Sequence, residues 1–280
     1  MKTILIPTDF SVPADYAIRY ATALAKQFNS SLILYHAFIP FKSGFYSYSQ
    51  SAKENLETEN TLIKRLERIK NKLLKTDKAL SVSVHVDRGP ESILLSAFCK
   101  KKKIDLVVMG TTGATGLKEV IMGSFTADTI SKAPCPVLAI PRGCQYKTPE
   151  KITFASDYHK GDVRAIRFLA EWNLPFNAQI NILHIDDEES DGSEAEKLFN
   201  RYKRKTEKQC GSIALHFQHE PGKDTAAAIL HLTANDGTDL LAMSPVTRKS
   251  FWNSLFHKSI TKETAYRIRI PLLAIPIKKN

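Results

Sequence analysis

The chain has 280 residues and a mass of 31.4 kDa, enough for one large domain or for two domains of about 140 residues. Hydrophobic residues make up 43% and charged residues 25%, an ordinary globular composition that argues against a disordered, fibrous or disulfide-scaffold protein. No apolar run approaches the ~20 residues of a membrane span. The chain has 40 Lys and Arg against 29 Asp and Glu, and this excess of positive charge makes nucleic acid, anionic surfaces and nucleotide phosphates candidate partners.

Two features of the sequence indicate the cellular compartment of the protein: residues 1–9 and the four cysteines. The apolar stretch before Pro7 and Asp9 is too short for a signal-peptide core. The four cysteines include no C-x-x-C pair, and in a chain this long they are typical of reduced thiols rather than of a disulfide framework. These features predict a cytoplasmic protein that has no membrane partner.

Short apolar runs alternate with longer segments of helical period along the first half of the chain. The runs cover residues 3–7, 31–37, 82–86, 104–109 and 136–140, and the helical stripes lie at 17–28, 62–73 and 93–98. Ser11 is placed to cap the first helix, with Pro13 in its first turn. Alternating strands and helices predict a parallel sheet covered on both faces, with a ligand crevice beyond the carboxyl ends of its strands.

The second half of the chain repeats the first. Residues 4–9, 17–20 and 32–37 match residues 152–157, 165–168 and 180–185 at a constant offset of 148, so that Asp9 corresponds to Asp157. The offset falls to 134 at residues 105–109 and is 135 at residues 136–141, because the second half is shorter after its second strand. The repeat predicts two tandem domains, residues 1–144 and 145–280, with the polar segment 142–150 as the connection.

A glycine-rich segment, residues 109–124, leaves a predicted strand and enters a helix. Glycines at such a junction let main-chain N–H groups approach an anion, and a helix that begins near Ser124 adds its positive end. The segment has neither the Walker pattern nor G-x-G-x-x-G. The residues therefore point to phosphate binding without an ordinary nucleotide fingerprint.

The spacing Gly110-x2-Gly113-x9-Gly123-Ser124, with Pro7-Thr8-Asp9 after the first strand and the closing strand 136–141, resembles the ATP-binding signature of the universal stress protein family. Through the repeat, the resemblance covers almost the whole chain. It implies an α/β fold of two tandem Rossmann-like domains, of the adenine nucleotide alpha hydrolase type, each a mostly parallel five-stranded sheet with helices on both faces. The ligand it implies is ATP, or ADP or AMP, with or without Mg²⁺.

The resemblance also implies which residues contact the nucleotide. Asp9 would lie on the ribose or adenine side, Ala37 and Met109 would flank the base, and the glycine segment would hold ribose and phosphates. The full set is Pro7, Thr8, Asp9, Ala37, Met109, Gly110, Gly113, Gly123, Ser124 and Phe125. The alternative is that the glycines only turn a loop and that Asp9 only caps a helix.

The second half departs from this pattern. At the equivalent positions Ser244, Thr247 and His257 replace the three glycines, and Lys258 replaces the serine. Side chains there would block close approach of the main chain, although the local positive charge could still attract an anion. The sequence therefore predicts one competent nucleotide site, in the first half, and a degenerate partner domain.

Other features have ordinary interpretations. Lysines 100–103 and the basic run 201–205 are typical of solvated helix ends, and no recognition motif or stacking platform favours nucleic acid. His216 and His219 lie three apart on a likely strand, where they face opposite sides, so we do not expect a metal site. An aromatic segment after the second strand is either a lid over the base or a loop packed on its own domain; it contains Phe38, Phe41, Phe45, Tyr46 and Tyr48.

No catalytic constellation emerges, and the expected function is a nucleotide-binding sensor or regulator of the stress response. A slow ATPase or autophosphorylating protein is one alternative, and a nucleotide-free scaffold or nucleic-acid binder is another. The resemblance implies a pseudo-dimer within the chain, because family members commonly dimerise through their last strand, here residues 137–140 and 272–275. A further homodimer and unnamed protein partners stay open.

Overall fold

The structure is a computed structural model that describes residues 1–41, 48–111, 123–159, 161–186, 192–211, 213–245 and 269–277. Its elements in the first half are β1 (Thr3–Pro7), α1 (Val12–Phe28), β2 (Ser31–Phe38), α2 (Tyr48–Thr76), β3 (Val82–Arg88), α3 (Glu91–Lys102), β4 (Leu106–Gly110), α4 (Ser124–Lys132) and β5 (Val137–Ile140). Those in the second half are β6 (Lys151–Ala155), α5 (Asp162–Asn173), β7 (Gln179–Asp186), α6 (Gly192–Cys210), β8 (Leu215–Pro221), α7 (Thr225–Asn235), β9 (Leu240–Met243) and β10 (Leu272–Ala274).

Helix α1 begins as the sequence predicts. Ser11 is its N-cap residue, and the Ser11 side chain accepts a hydrogen bond from the main-chain N–H of Ala14 at 3.4 Å. A proline occupies the first turn, where the absent N–H costs nothing because no carbonyl precedes it in the helix. The helix ends at Asn29, whose left-handed conformation (φ 50°) directs its N–H back to the last turn. All five predicted strands of the first half are confirmed.

The ten strands form one continuous sheet in the order β3-β2-β1-β4-β5-β10-β9-β6-β7-β8. Neighbours within each half are parallel, and the two halves meet where β5 and β10 pair antiparallel, with Leu273 opposite Leu138. The predicted pairing of the two last strands is therefore confirmed. Each half contributes five strands in mirrored order, as expected of a duplicated domain.

Helices cover both faces of the sheet, because successive strand residues point to opposite sides. In β1, Ile4 and Ile6 are buried with residues of α1, α2, α5 and α6, whereas Leu5 is buried with residues of α3, α4 and α7. In the inner strands β4, β5 and β9 residues on both faces are buried, as the continuous apolar runs require of a parallel sheet. The edge strands β3 and β8 are only partly buried.

Contacts away from the sheet also join the two halves. The rings of Phe28, Trp172 and Phe176 pack together with centroid distances of 4.8–5.8 Å, and Gln27 donates a hydrogen bond to the main-chain oxygen of Pro175 at 3.1 Å. The connection between β5 and β6 is anchored by Asp239, which accepts hydrogen bonds from the main-chain N–H groups of Glu150 and Lys151.

The predicted division between residues 144 and 145 falls inside that connection and stays a prediction. None of the helices in the described part of the chain combines the length and hydropathy that a membrane crossing requires. Cys99, Cys135, Cys144 and Cys210 form no disulfide.

Candidate functional site

Residues that follow β1 and β4 meet at one crevice, because these strands are adjacent and parallel and their carboxyl ends lie on the same edge of the sheet. A cavity of about 120 Å³ opens there. The cavity is lined by Pro7, Thr8, Asp9, Ala14, Glu91, Met109, Gly110, Gly123, Phe125 and Thr126. Its position, beyond the strand ends and beside the start of a helix, is where open α/β sheets bind ligands.

The loop after β1 has a tightly bonded conformation that presents Asp9 to the cavity. Thr8 Oγ1 accepts a hydrogen bond from the N–H of Phe10 at 3.0 Å, and Asp9 Oδ1 accepts one from the N–H of Ser11 at 3.0 Å. Phe10 has a left-handed conformation with φ 64°, which is strained for a residue with a side chain. Because Ser11 is the N-cap residue, Asp9 is not needed to cap α1.

Two side chains, one on β2 and one on α2, contact this loop. His36 on β2 lies with Nδ1 2.7 Å from the main-chain oxygen of Thr8, and its ring packs against Phe10 with centroids 5.0 Å apart. The guanidinium of Arg65 on α2 stacks over the same Phe10 ring, 3.8 Å from its centroid.

Close packing explains the glycine at the end of β4. A Cβ added at Gly110 would lie 3.0 Å from the main-chain carbon and oxygen of Pro13, so a side chain there would press on the first turn of α1. The carbonyl of Gly110 accepts a hydrogen bond from Thr126 Oγ1 at 2.9 Å, and the N–H of Gly123 donates to the oxygen of Thr111 at 2.6 Å. These bonds tie the end of β4 to the start of α4.

Helix α4 directs its N-terminus at the cavity. Its N-cap residue is Gly123, which has no side chain that could cap the first turn. The first N–H groups of a helix have no partners within the helix and carry its positive dipole end, so an anion beside Gly123 and Phe125 is stabilised.

Glu91 is a residue of the cavity that the sequence reasoning missed. It is the first residue of α3, at the carboxyl end of β3, and it lines the same cavity as Asp9. Burial, and then the neighbouring carboxylate of Asp9, raise the pKa of Glu91 to about 7. The sequence signal that could have indicated Glu91 was the turn pair Gly89 and Pro90, which follows the predicted strand 82–86.

The structure brings together seven of the ten predicted residues in this cavity, at Pro7, Thr8, Asp9, Met109, Gly110, Gly123 and Phe125. Ser124 is exposed at the first position of α4 and does not line the cavity. Ala37 is buried on β2, opposite Asp87, and also lies outside the lining. Gly113 falls outside the described residues.

The loop after β6, which is the counterpart of the loop that presents Asp9, is bonded by side chains of the second half. Ser156 Oγ donates to Asp162 Oδ2 at 2.7 Å and lies 3.0 Å from Tyr202 Oη, and all three residues are buried. The Tyr158 ring stacks on His184 at 3.9 Å between centroids, and His184 Nδ1 lies 2.7 Å from the oxygen of Ser156. Side chains of α5, α6 and β7 therefore hold the loop after β6.

Of the residues that replace the glycine segment, only Ser244 is described, and it is fully buried. Thr247, His257 and Lys258 fall outside the described residues. The predicted degeneracy of the second half therefore stays a prediction at those three positions.

The remaining sequence interpretations have mixed outcomes. Lysines 100–103 end α3, as predicted, but residues 201–205 lie in the interior of α6 and not at its end. His216 and His219 lie on β8, and His219 Nδ1 is 2.8 Å from Asp186 Oδ2. Within the described ranges, no group of three His, Cys, Asp or Glu side chains is arranged to hold a metal ion.

Part of the aromatic segment after β2 is described. Asn55 on α2 accepts from the N–H of Phe41 at 2.8 Å and donates to its oxygen at 3.0 Å, which fixes the main chain of that residue while its ring stays half exposed. Phe45 and Tyr46 fall outside the described residues, as does the side chain of Tyr48, so the choice between a lid and a packed loop stays open.

Comparison with known proteins decides the family. The sequence model of the universal stress protein family matches residues 1–141, which contain the whole cavity and the glycine segment. The chain belongs to the universal stress protein family. Among curated relatives, Universal stress protein MJ0531 of Methanocaldococcus jannaschii is 33% identical over 143 residues, covering 50% of this chain and 82% of the relative.

Further similarities agree with this assignment. A universal stress protein of Thermus aquaticus is 31% identical over 141 residues, covering 50% of this chain and 98% of the relative. The crystal structure of a universal stress protein from Archaeoglobus fulgidus superimposes with a TM-score of 0.65 at 15% identity, over 98% of this chain and 96% of that one. That likeness shows the fold alone, and it extends over both halves of the tandem.

Proposed function

We propose that this universal stress protein binds ATP or a related adenine nucleotide in its first half and acts as a cytoplasmic sensor or regulator of the stress response. The observation that carries the proposal is the cavity between Asp9, Gly110 and Gly123, with the start of α4 at its edge. The free thiols are in keeping with a reducing compartment.

The chemistry of the cavity supports a ligand with both a polar ring system and phosphates. The carboxylate of Asp9 accepts hydrogen bonds from hydroxyl or amino groups, and the first-turn N–H groups of α4, which have no carbonyl partner within the helix, donate to phosphate oxygens. The thioether of Met109 offers a polarizable contact for a base. The cavity of about 120 Å³ takes only part of a nucleotide, and the glycine segment 112–122 would supply the rest of the site.

Binding is tested by calorimetry on the intact chain after removal of any nucleotide carried through purification. ATP with Mg²⁺, ADP, AMP and cyclic AMP are titrated separately, because phosphate sites built from main-chain groups accept several chain lengths. We expect one nucleotide per chain. In Gly113→Val binding is lost, whereas Thr247→Val, the matched change in the second half, leaves it intact.

Three outcomes would count against the proposal. They are no binding to folded and stripped protein, equal binding by Gly113→Val, and loss of binding in Thr247→Val instead. Phosphate release in the same samples separates a binding protein from a slow ATPase, since turnover at this site must disappear in Gly113→Val. A sensor role further predicts that ATP slows amide exchange in α4.

A second candidate function, binding of a nucleic-acid phosphate backbone, is favoured by one surface. Five exposed cations on α6 border one shallow surface depression; they are Lys197, Arg201, Arg204, Lys205 and Lys208. Within the described ranges none of them forms an ion pair, and like charges three and four apart on a helix repel each other. A duplex titration across salt tests this candidate, because phosphate binding weakens steeply as salt rises.

A further inference from the structure

Helices α1 and α2 leave a groove of about 320 Å³ on the sheet face that they cover. The groove shares no lining residue with the cavity beside Asp9. Its apolar lining comes from Ile18 on α1, Ile69 and Leu73 on α2, and Leu80 in the turn that follows. A space of this size is within the range of small-molecule sites in proteins.

The duplication supplies an internal comparison for this groove. Leu32 pairs with Val82 and the equivalent Ile180 pairs with Leu215, so β3 and β8 correspond at an offset of 133, and we apply this offset to the preceding helices α2 and α6. Ile69 and Leu73, which are partly exposed, therefore correspond to Tyr202 and Thr206, which are 5% and 0% exposed. At these helix positions the second half has buried side chains where the first half has partly exposed ones.

An arginine shared by both halves shows the same difference. Arg167 on α5 donates a hydrogen bond to the main-chain oxygen of Gln209 at 2.9 Å and so bridges α5 to α6. Its counterpart, Arg19 on α1, lines the open groove. The guanidinium carbon of Arg19 lies 5.8 Å from the centroid of the Tyr16 ring. Within the described residues Arg19 forms no ion pair, and neither does Lys72 at the same groove.

The charges around the groove favour an anion with an apolar body. Lys26 forms an ion pair with Asp77 at 2.9 Å, and this pair carries no net charge. The other charged side chains of the lining are Arg19, Lys72 and Asp15, so the groove carries a net positive charge. The lining contains no aromatic ring, which leaves an aliphatic ligand as the better partner for its branched aliphatic side chains. A guanidinium binds a carboxylate through two parallel hydrogen bonds.

We propose that the groove between α1 and α2 binds a medium-chain fatty carboxylate, with its hydrocarbon over Ile69 and Leu73 and its carboxylate at Arg19. A groove of about 320 Å³ lies at the lower end of the size range of small-molecule sites, so a medium-chain carboxylate suits it better than a long-chain one. Sodium decanoate is therefore the probe. The site is independent of nucleotide binding in the first half.

Decanoate is titrated into the intact chain by calorimetry below its micelle concentration. We expect one molecule per chain, about tenfold weaker binding in Arg19→Gln, and unchanged binding in the matched variant Arg167→Gln of the second half. Decanol, which lacks the charge, should bind about as weakly to the wild type as decanoate does to Arg19→Gln. Ile69→Tyr introduces the residue found at the equivalent position of α6 and should abolish binding.

The proposal fails if wild-type protein shows no saturable binding at 1 mM, if decanol binds as tightly as decanoate, or if Arg167→Gln weakens binding as much as Arg19→Gln. Binding that survives in folded Ile69→Tyr also overturns it. Circular dichroism establishes folding of each variant. If Ile69→Tyr does not fold, the Arg19→Gln, Arg167→Gln and decanol measurements still decide.

Discussion

His36 Nδ1 lies 2.7 Å from the main-chain oxygen of Thr8, and 148 residues later His184 Nδ1 lies 2.7 Å from that of Ser156. A carbonyl oxygen only accepts hydrogen bonds, so Nδ1 is the donor in both pairs. Each bond ties the end of the second strand of a half to the loop after its first strand. In the first half, that loop presents Asp9 to the cavity.

Loss of this bond should loosen the loop. We expect His36→Leu to lower the free energy of unfolding by about 1–2 kcal/mol, since the oxygen of Thr8 loses its donor in a partly buried place. His36→Asn keeps a side-chain N–H near Nδ1 and should recover at least half of that loss. Urea unfolding of both variants provides the measurement, and equal stability of the two would contradict the role of the bond.

Gly110 is predicted to tolerate no side chain. A Cβ there meets main-chain atoms of Pro13 at 3.0 Å, so Gly110→Ala must displace the start of α1 or the end of β4 and should cost about 1–3 kcal/mol. Gly143→Asn is the control, because Gly143 has φ 85° and nothing within 4 Å of its added Cβ, and asparagine tolerates that conformation. Thermal unfolding should show a clear shift only for Gly110→Ala.

Glu91 should make stability depend on pH. Its folded pKa of about 7 lies above the ordinary 4.5, so the folded chain binds more protons than the unfolded chain between these values, and the free energy of unfolding falls as pH rises from about 5 to 8. Allowing for its partial exposure to solvent, we expect a loss of about 1–2 kcal/mol.

Glu91→Gln removes this titration. The variant should lose stability less steeply than the wild type over the same pH range and should be the more stable of the two at pH 8. Glu57→Gln, on the exposed face of α2, serves as the control and should follow the wild type. Parallel urea-unfolding curves of wild type and Glu91→Gln from pH 5 to 8 would contradict the coupling.

The first half alone should dimerise. Residues 1–144 lack β10, so the apolar strand β5 would expose an edge that now pairs with Leu272–Ala274. A second copy can supply the missing strand. We expect light scattering to give twice the mass of the fragment, and a monomer at 100 μM would show that β5 needs no partner.

The duplicated α/β architecture follows from the sequence pattern. Its apolar runs are strand-sized, its helical stripes lie between them, and a constant offset aligns the two halves, so local patterns reported the elements directly. The sequence also predicted that Asp9, Ala37 and Gly110 lie at one crevice, because strand ends in a parallel sheet share an edge. Asp9 and Gly110 line the cavity, and Ala37 lies outside its lining.

Contacts between side chains of distant elements depend on how the helices pack against the sheet, and the sequence pattern does not report them. Glu91 joins Asp9 through packing of α3 against the sheet, and no local pattern indicates that two carboxylates 82 positions apart share a cavity. Likewise, Ile69 and Tyr202 occupy equivalent helix positions, yet one lines a groove and the other is buried. Side-chain volume and helix packing set that difference, and both depend on three-dimensional neighbours that periodicity along the chain does not report.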